Sequence, residues 1–173
     1  MTGRGFDIMK LPIGIQSFEK IRTDDYYYID KTYFVKKLVE EGSYYFLSRP
    51  RRFGKSLFLD TLRQAFLAKK ELFKGLYLYD KWEWDKKYPV IYLDFGEGMI
   101  ESSDHLKKVI ESNLRKISLY YQIELTEELL ERRGIELIEK LYKKYQQKVV
   151  VLIDEYDKPI LDCIEDQRRS ETN

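Results

Sequence analysis

The sequence has one cysteine, Cys163, so no internal disulfide can form, and that scarcity suits a reducing compartment. It has one histidine, His105, and one of each cannot build a zinc site. An excess of either charge is missing too: 31 Lys and Arg stand against 30 Asp and Glu. No long-range field therefore steers the chain toward nucleic acid or an anionic membrane, and any such surface must be a local patch. No stretch is apolar and long enough to span a bilayer, and the N-terminus lacks the apolar centre of a secretory signal. The cytoplasm is the expected compartment. Internal repeats and low-complexity linkers are also absent.

What is present is the composition of a soluble globular protein, 43% hydrophobic and 35% charged, in a chain long enough for one real core. The fifteen tyrosines read as amphipathic strand and core-edge residues rather than as a stacking platform. Residues 1–10 read as a lead-in, and 166–173 as a polar tail.

Hydrophobic spacing predicts alternating strands and helices. Thr32 to Gly42 has helical periodicity, with Asp30 or Thr32 able to cap its start. Tyr44 to Leu47 reads as a buried strand. A basic loop, "SRPRRFGKS", follows, and Leu57, Phe58, Leu62, Phe66 and Leu67 then recur at helical spacing. "YPVIYLDF" (88–95) reads as a second strand, with Pro89 at its start. Residues 104–121 read as an amphipathic helix opened by Asp104 or a preceding serine. Residues 126–147 read as a helical region, bent or split at Gly134. The apolar run Val149 to Ile153 reads as a third strand, buried on both faces of a parallel sheet. The expected fold is α/β.

The basic loop lacks one thing that a phosphate-binding loop usually has. In the pattern G-x-x-x-x-G-K-[ST] between a strand and a helix, Gly54, Lys55 and Ser56 match. Arg49 stands where the first glycine belongs. That glycine mainly eases the turn out of the strand, and Arg49-Pro50 can make the turn at the fixed φ of proline. The chemistry rests on the rest of the loop. Its amides, from Arg51, Arg52 and Phe53 through Gly54 to Lys55, Ser56 and Leu57, would face the phosphates at a helix N-terminus. Lys55 would place a positive charge on the outer phosphates, and the Ser56 hydroxyl would reach Mg²⁺. A surface turn with an incidental Gly-Lys-Ser is the plainer reading.

A site of this kind also needs an acid at the end of an apolar strand to hold the Mg²⁺ shell. "VVVLIDE" is that pattern. Asp154 would be the metal-side carboxylate, and Glu155 would orient or deprotonate the attacking water. A strand that ends in a solvated acidic turn is the plainer alternative, but both features occur in the right order and on the right kinds of element. Together they predict ATP (or ADP) and Mg²⁺ as ligands, with Lys55 and Glu155 in the chemistry. Arg51 and Arg52 either add phosphate charge or are solvated loop charge. Asp94, on the same sheet edge, either joins the metal or water network or caps a loop, and the loop cap is the preferred reading. Asp157 and Lys158 either touch nucleotide or a neighbouring subunit, or cap a helix at Pro159. No role is assigned to His105 or Cys163.

The stretches "LPIGIQSFEKI", "YYYIDKTYFVKKLVEEGSYYFLSRPRRFGKSLFLDTL" and "VVVLIDEYDKPIL" resemble the predicted AAA-ATPase-like family of bacteria and archaea, from about Leu11 to about Leu161. The resemblance implies a three-layer α/β/α P-loop fold with a mostly parallel sheet, with residues 11–165 as its N-terminal part, ending after the Walker B strand. It implies that the missing first glycine is the family's own pattern. It also implies that Asp30, Lys31 and Thr32 lie near the nucleotide base or shape the site. Similar proteins continue into a restriction-endonuclease-like nuclease domain, so contact with DNA would come only through such a downstream domain. With the following strand absent, a gap or direct pairing of 44–48 with 149–153 is expected, along with an exposed apolar edge that invites self-association. No arginine finger or sensor can be assigned, and hydrolysis by these residues alone would be slow or absent. The expected function is Mg²⁺-dependent ATP hydrolysis coupled to a partner or a downstream domain. The alternative is a nucleotide-gated interaction module, or a DNA-associated one, with little hydrolysis.

Overall fold

The computed structural model describes residues 10–48, 50, 52–96, 98–100, 102–159, 161 and 162. Residues 1–9 of the expected lead-in 1–10 and the tail 166–173, as well as Arg49, Arg51 and Cys163, lie outside them. The described residues form two compact units, divided between Lys86 and Lys87.

The first unit is helical: α1 (Phe18–Thr23), α2 (Thr32–Glu41) and α3 (Lys55–Phe66), then two 3₁₀ turns, Lys70–Phe73 and Tyr77–Asp80. Its core is Phe18, Ile21, Val35, Leu62, Ala65, Phe73 and Leu78. The Phe18 ring packs on Tyr28 and Phe73 at centroid distances of 5.1 and 4.9 Å. Polar side chains fasten α3 into this core. Buried Asp60 accepts from the Phe18 N–H (2.7 Å) and from Gln64 Nε2 (3.2 Å), so it satisfies a donor that the start of α1 would otherwise leave orphaned. Asp30 accepts from the N–H and hydroxyl of Thr32 and from the Tyr77 N–H, and Thr32 Oγ1 accepts from the Leu78 N–H. Partial burial works to raise the Asp30 pKa, but these donors outweigh it and leave it lowered. The N-cap position of α2 is Lys31, which makes no side-chain cap; Asp30 instead accepts from the first amide of the helix, and Asp30 and Thr32 together tie α2 to the second 3₁₀ turn.

The strand expected at 44–47 does not form. Tyr44 is 96% and Phe46 72% exposed. An apolar run becomes a strand only where a neighbouring ladder takes up its backbone groups. The sheet that does form pairs two other segments, and Tyr45 instead donates its hydroxyl to the Leu38 carbonyl at the end of α2.

The second unit is a parallel crossover: β1 (Val90–Asp94), α4 (Ser103–Tyr121), α5 (Leu130–Tyr145) and β2 (Val150–Asp154). The strands pair in register from Val90↔Val150 to Asp94↔Asp154. A serine does open α4: Ser102 Oγ accepts from the His105 N–H. The second helix runs unbroken through Gly134. Ile91, Leu114, Tyr121, Leu137 and Leu141 form the core. Burial of each leucine contributes about 1.5–3 kcal/mol. The Tyr121 hydroxyl accepts from the Val90 N–H and donates to the Val90 carbonyl.

The sheet among the described residues has two strands, not the three read from the sequence. Burial of β2 on both faces is also not found. Val151 and Ile153, the register partners of Ile91 and Leu93, are each 44% exposed, because β2 is an edge strand beyond the cover that α4 gives to β1.

Glu136 closes the loop before α5. Its carboxylate accepts from Lys140 (2.7 Å), from the Thr126 N–H and hydroxyl (2.8 Å each) and from the Glu127 N–H (3.1 Å). The lysine bond, then these backbone donors, hold its pKa at about 2 instead of 4.5. A depressed folded-state pKa contributes stability that is full above the unfolded value and lost as pH falls through the folded one. Glu136→Gln should therefore lower the melting temperature at pH 7, with the deficit shrinking between about pH 4.5 and 2. A pH-independent deficit in thermal melts would show that the charge is not what matters.

Candidate functional site

The basic loop belongs to the first unit. Gly54 is the N-cap of α3 at φ 75°, ψ 30°, a left-handed conformation that glycine adopts without the penalty of a Cβ. Nothing lies within 4 Å of where that Cβ would be. Arg52 is also left-handed, at φ 68°, so two turns of opposite hand to the helix bracket Phe53. Phe53 is 60% exposed, and its N–H donates to the Pro50 carbonyl.

The N–H groups of Lys55, Ser56 and Leu57 open α3. No side chain caps them and no acidic residue stands in the first turn. A helix N-terminus left in this state attracts anions through its free donors and its dipole. Lys55 is half-buried and has no ion pair among the described residues. The Ser56 hydroxyl, also half-buried, has no partner there either. Free amides, a free ammonium and a free hydroxyl thus lie together on one helix end.

The acids belong to the second unit, at the C-terminal end of the parallel sheet. Asp154 is buried. Its two oxygens accept from the Tyr92 hydroxyl (3.1 Å) and from the Glu155 N–H (3.0 Å). Each retains lone pairs for a further donor or cation. Asp94, its register partner, accepts from the Gly96 N–H at 2.7 Å, the loop cap read from the sequence. Glu155 leaves the strand at φ 51°, half-buried, and this turns the chain at the acid pair.

No group of three metal-ligating side chains occurs among the described residues. Mg²⁺ does not need one. It keeps several waters and binds through one or two carboxylates plus phosphate, and a buried aspartate with spare lone pairs at a sheet end fits that demand.

The structure brings Arg52 to Leu57 together in one unit and Asp94, Asp154 and Glu155 together in the other. Asp30 and Thr32 are occupied in holding α2. Asp60, Tyr92 and Gly96 carry structural weight that sequence reasoning missed. Their roles depend on partners distant in the chain, and no local pattern marks them.

A family model described as "Predicted AAA-ATPase" matches residues 12–173. An "uncharacterized protein in vnfD 5'region" of Azotobacter chroococcum mcd 1 is 50% identical over 154 residues, which cover 88% of this chain and 30% of that protein. The chain therefore spans about a third of the length of the curated relative it matches. No solved structure matches it, and no helix among the described residues is long and apolar enough to cross a membrane.

Proposed function

This chain belongs to the predicted AAA-ATPase family, and on that premise we propose that residues 11–165 are the N-terminal part of a three-layer P-loop ATPase domain that binds ATP with Mg²⁺ and hydrolyses it. The observation that carries the proposal is the start of α3, where left-handed Gly54 precedes three amides and a Lys55 that have no partner among the described residues.

In this reading the amides of Arg51 through Leu57 and the Lys55 ammonium cradle the phosphates, and Arg52 adds charge at the loop's exposed side. The Ser56 hydroxyl in the first unit and the Asp154 carboxylate in the second are each suited to Mg²⁺, which would neutralise charge that builds on the phosphate oxygens. Tyr92 and the Glu155 N–H hold the Asp154 carboxylate in one orientation. Glu155 accepts a proton from, or orients, the attacking water. In this reading the nucleotide state is coupled to a partner or to a downstream domain. The free edge of β2 is where a further strand or a second copy would join. Any contact with DNA would come through a downstream domain.

Calorimetric titration of ATP into the chain, with and without Mg²⁺, tests the proposal. Binding that Mg²⁺ tightens is expected. A folded chain that takes up no ATP under either condition would overturn it.

A further inference from the structure

Two side chains after β2 grip the backbone of the loop after β1. Lys158 Nζ donates to the Gly98 carbonyl and pairs with Asp162 Oδ2 at 2.8 Å. The same Asp162 oxygen accepts from the Ile100 N–H at 2.9 Å. Ile100 itself is fully buried, so this end of the loop is held by both its side chain and its backbone. At the other end, Gly96 is held by Asp94 (2.7 Å). A Cβ added at Gly96 would lie 3.0 Å from Asp94 Oδ1 and 3.5 Å from Glu155 Cγ. Gly96 therefore lies beside the Glu155 side chain.

We propose that Lys158 and Asp162 are positioning residues: by holding Gly98 and Ile100 they restrain the same loop's Gly96 beside Glu155, and so set the direction of the Glu155 carboxylate. The functional part rests on Glu155 as the water-handling residue. Lys158 differs from Lys55 in what its charge is committed to: it is already spent on a carbonyl and a carboxylate, at 25% side-chain exposure, so it is not a phosphate ligand. A latch of this kind is worth having because a misdirected general base loses rate with little loss of binding.

The test uses Lys158→Met, Asp162→Asn and Lys158→Arg in the whole chain. Amide exchange is read without nucleotide, along with the ¹³C resonance of the Glu155 carboxyl and the steady-state kinetics of ATP turnover. In the first two variants, Ile100 exchange should rise about tenfold while α5 amides keep their protection. The Glu155 resonance should shift. Turnover should fall about tenfold or more with KM held within about twofold. Lys158→Arg should restore all three. Unchanged Ile100 exchange, an unshifted Glu155 resonance, or protection lost equally across α4 and α5 would each overturn the latch. So would full turnover with a freed loop. A wild-type chain without turnover would sink the ATPase reading instead, and the latch is then decided by exchange and the resonance alone.

Discussion

Lys55→Ala should weaken Mg²⁺-ATP binding by about 100-fold or more, while the melting temperature stays within a degree or two of the wild type. The size follows from what the side chain has to give. A charge-assisted contact to phosphate, in a site that excludes water, is worth about 2.7–4 kcal/mol where single preorganised donors have been removed. The absence of a stability cost follows from the structure. Lys55 makes no ion pair among the described residues that its loss would break, and alanine is the better helix former at the first position of α3. Calorimetry on both proteins, beside their thermal melts, checks both halves. Equal affinity in the two proteins would return the loop to the status of a basic turn. Lost affinity with a collapsed melting curve would mean that Lys55 supports the fold.

Glu155→Gln should lower ATP turnover by about 10²–10⁴-fold, the range that general acid–base catalysis supplies, with nucleotide affinity within about threefold of the wild type. Glutamine keeps the shape and leaves the backbone at φ 51° no more strained than before. The N–H that Glu155 donates to Asp154 is also kept. Only the capacity to take a proton is removed. A rate that does not fall excludes Glu155 as the base. A wild type that binds ATP yet turns over no faster than this variant would favour the nucleotide-gated interaction module.

Much of this arrangement was legible because it is local. The Gly-Lys-Ser run followed by an apolar helical period places a helix directly after the loop, and α3 begins at Lys55. Two apolar runs separated by helical segments imply a parallel pair. The runs at 90–94 and 150–154 form it in register, so that Asp94 and Asp154 end side by side. Of the two expected openings of α4, Asp104 or a preceding serine, the serine Ser102 is the cap.

The failures are all non-local. "YYFL" has strand composition, but strand formation depends on a neighbour's backbone, and the sheet pairs other segments. The run Val149 to Ile153 has the hydrophobicity of a central strand, yet its burial depends on how many elements cover it, and it lies at an edge. "YIDKT" is suggestive of a site, and its aspartate and threonine are engaged by the amides of Tyr77 and Leu78. Lys158 is ambiguous in sequence. Its assignment to the Gly98 carbonyl and Asp162 needed both loops in place.

The sequence by itself determined which residues can bear the chemistry, because residue type and helical or strand period are properties of a short window of chain. It also determined where the helix that carries Lys55 begins. Only the tertiary structure decided which apolar runs become strands, which side chains are consumed in holding loops and which stay free. Those outcomes depend on partners dozens of residues away, whose hydrogen bonds and buried surface no local pattern encodes.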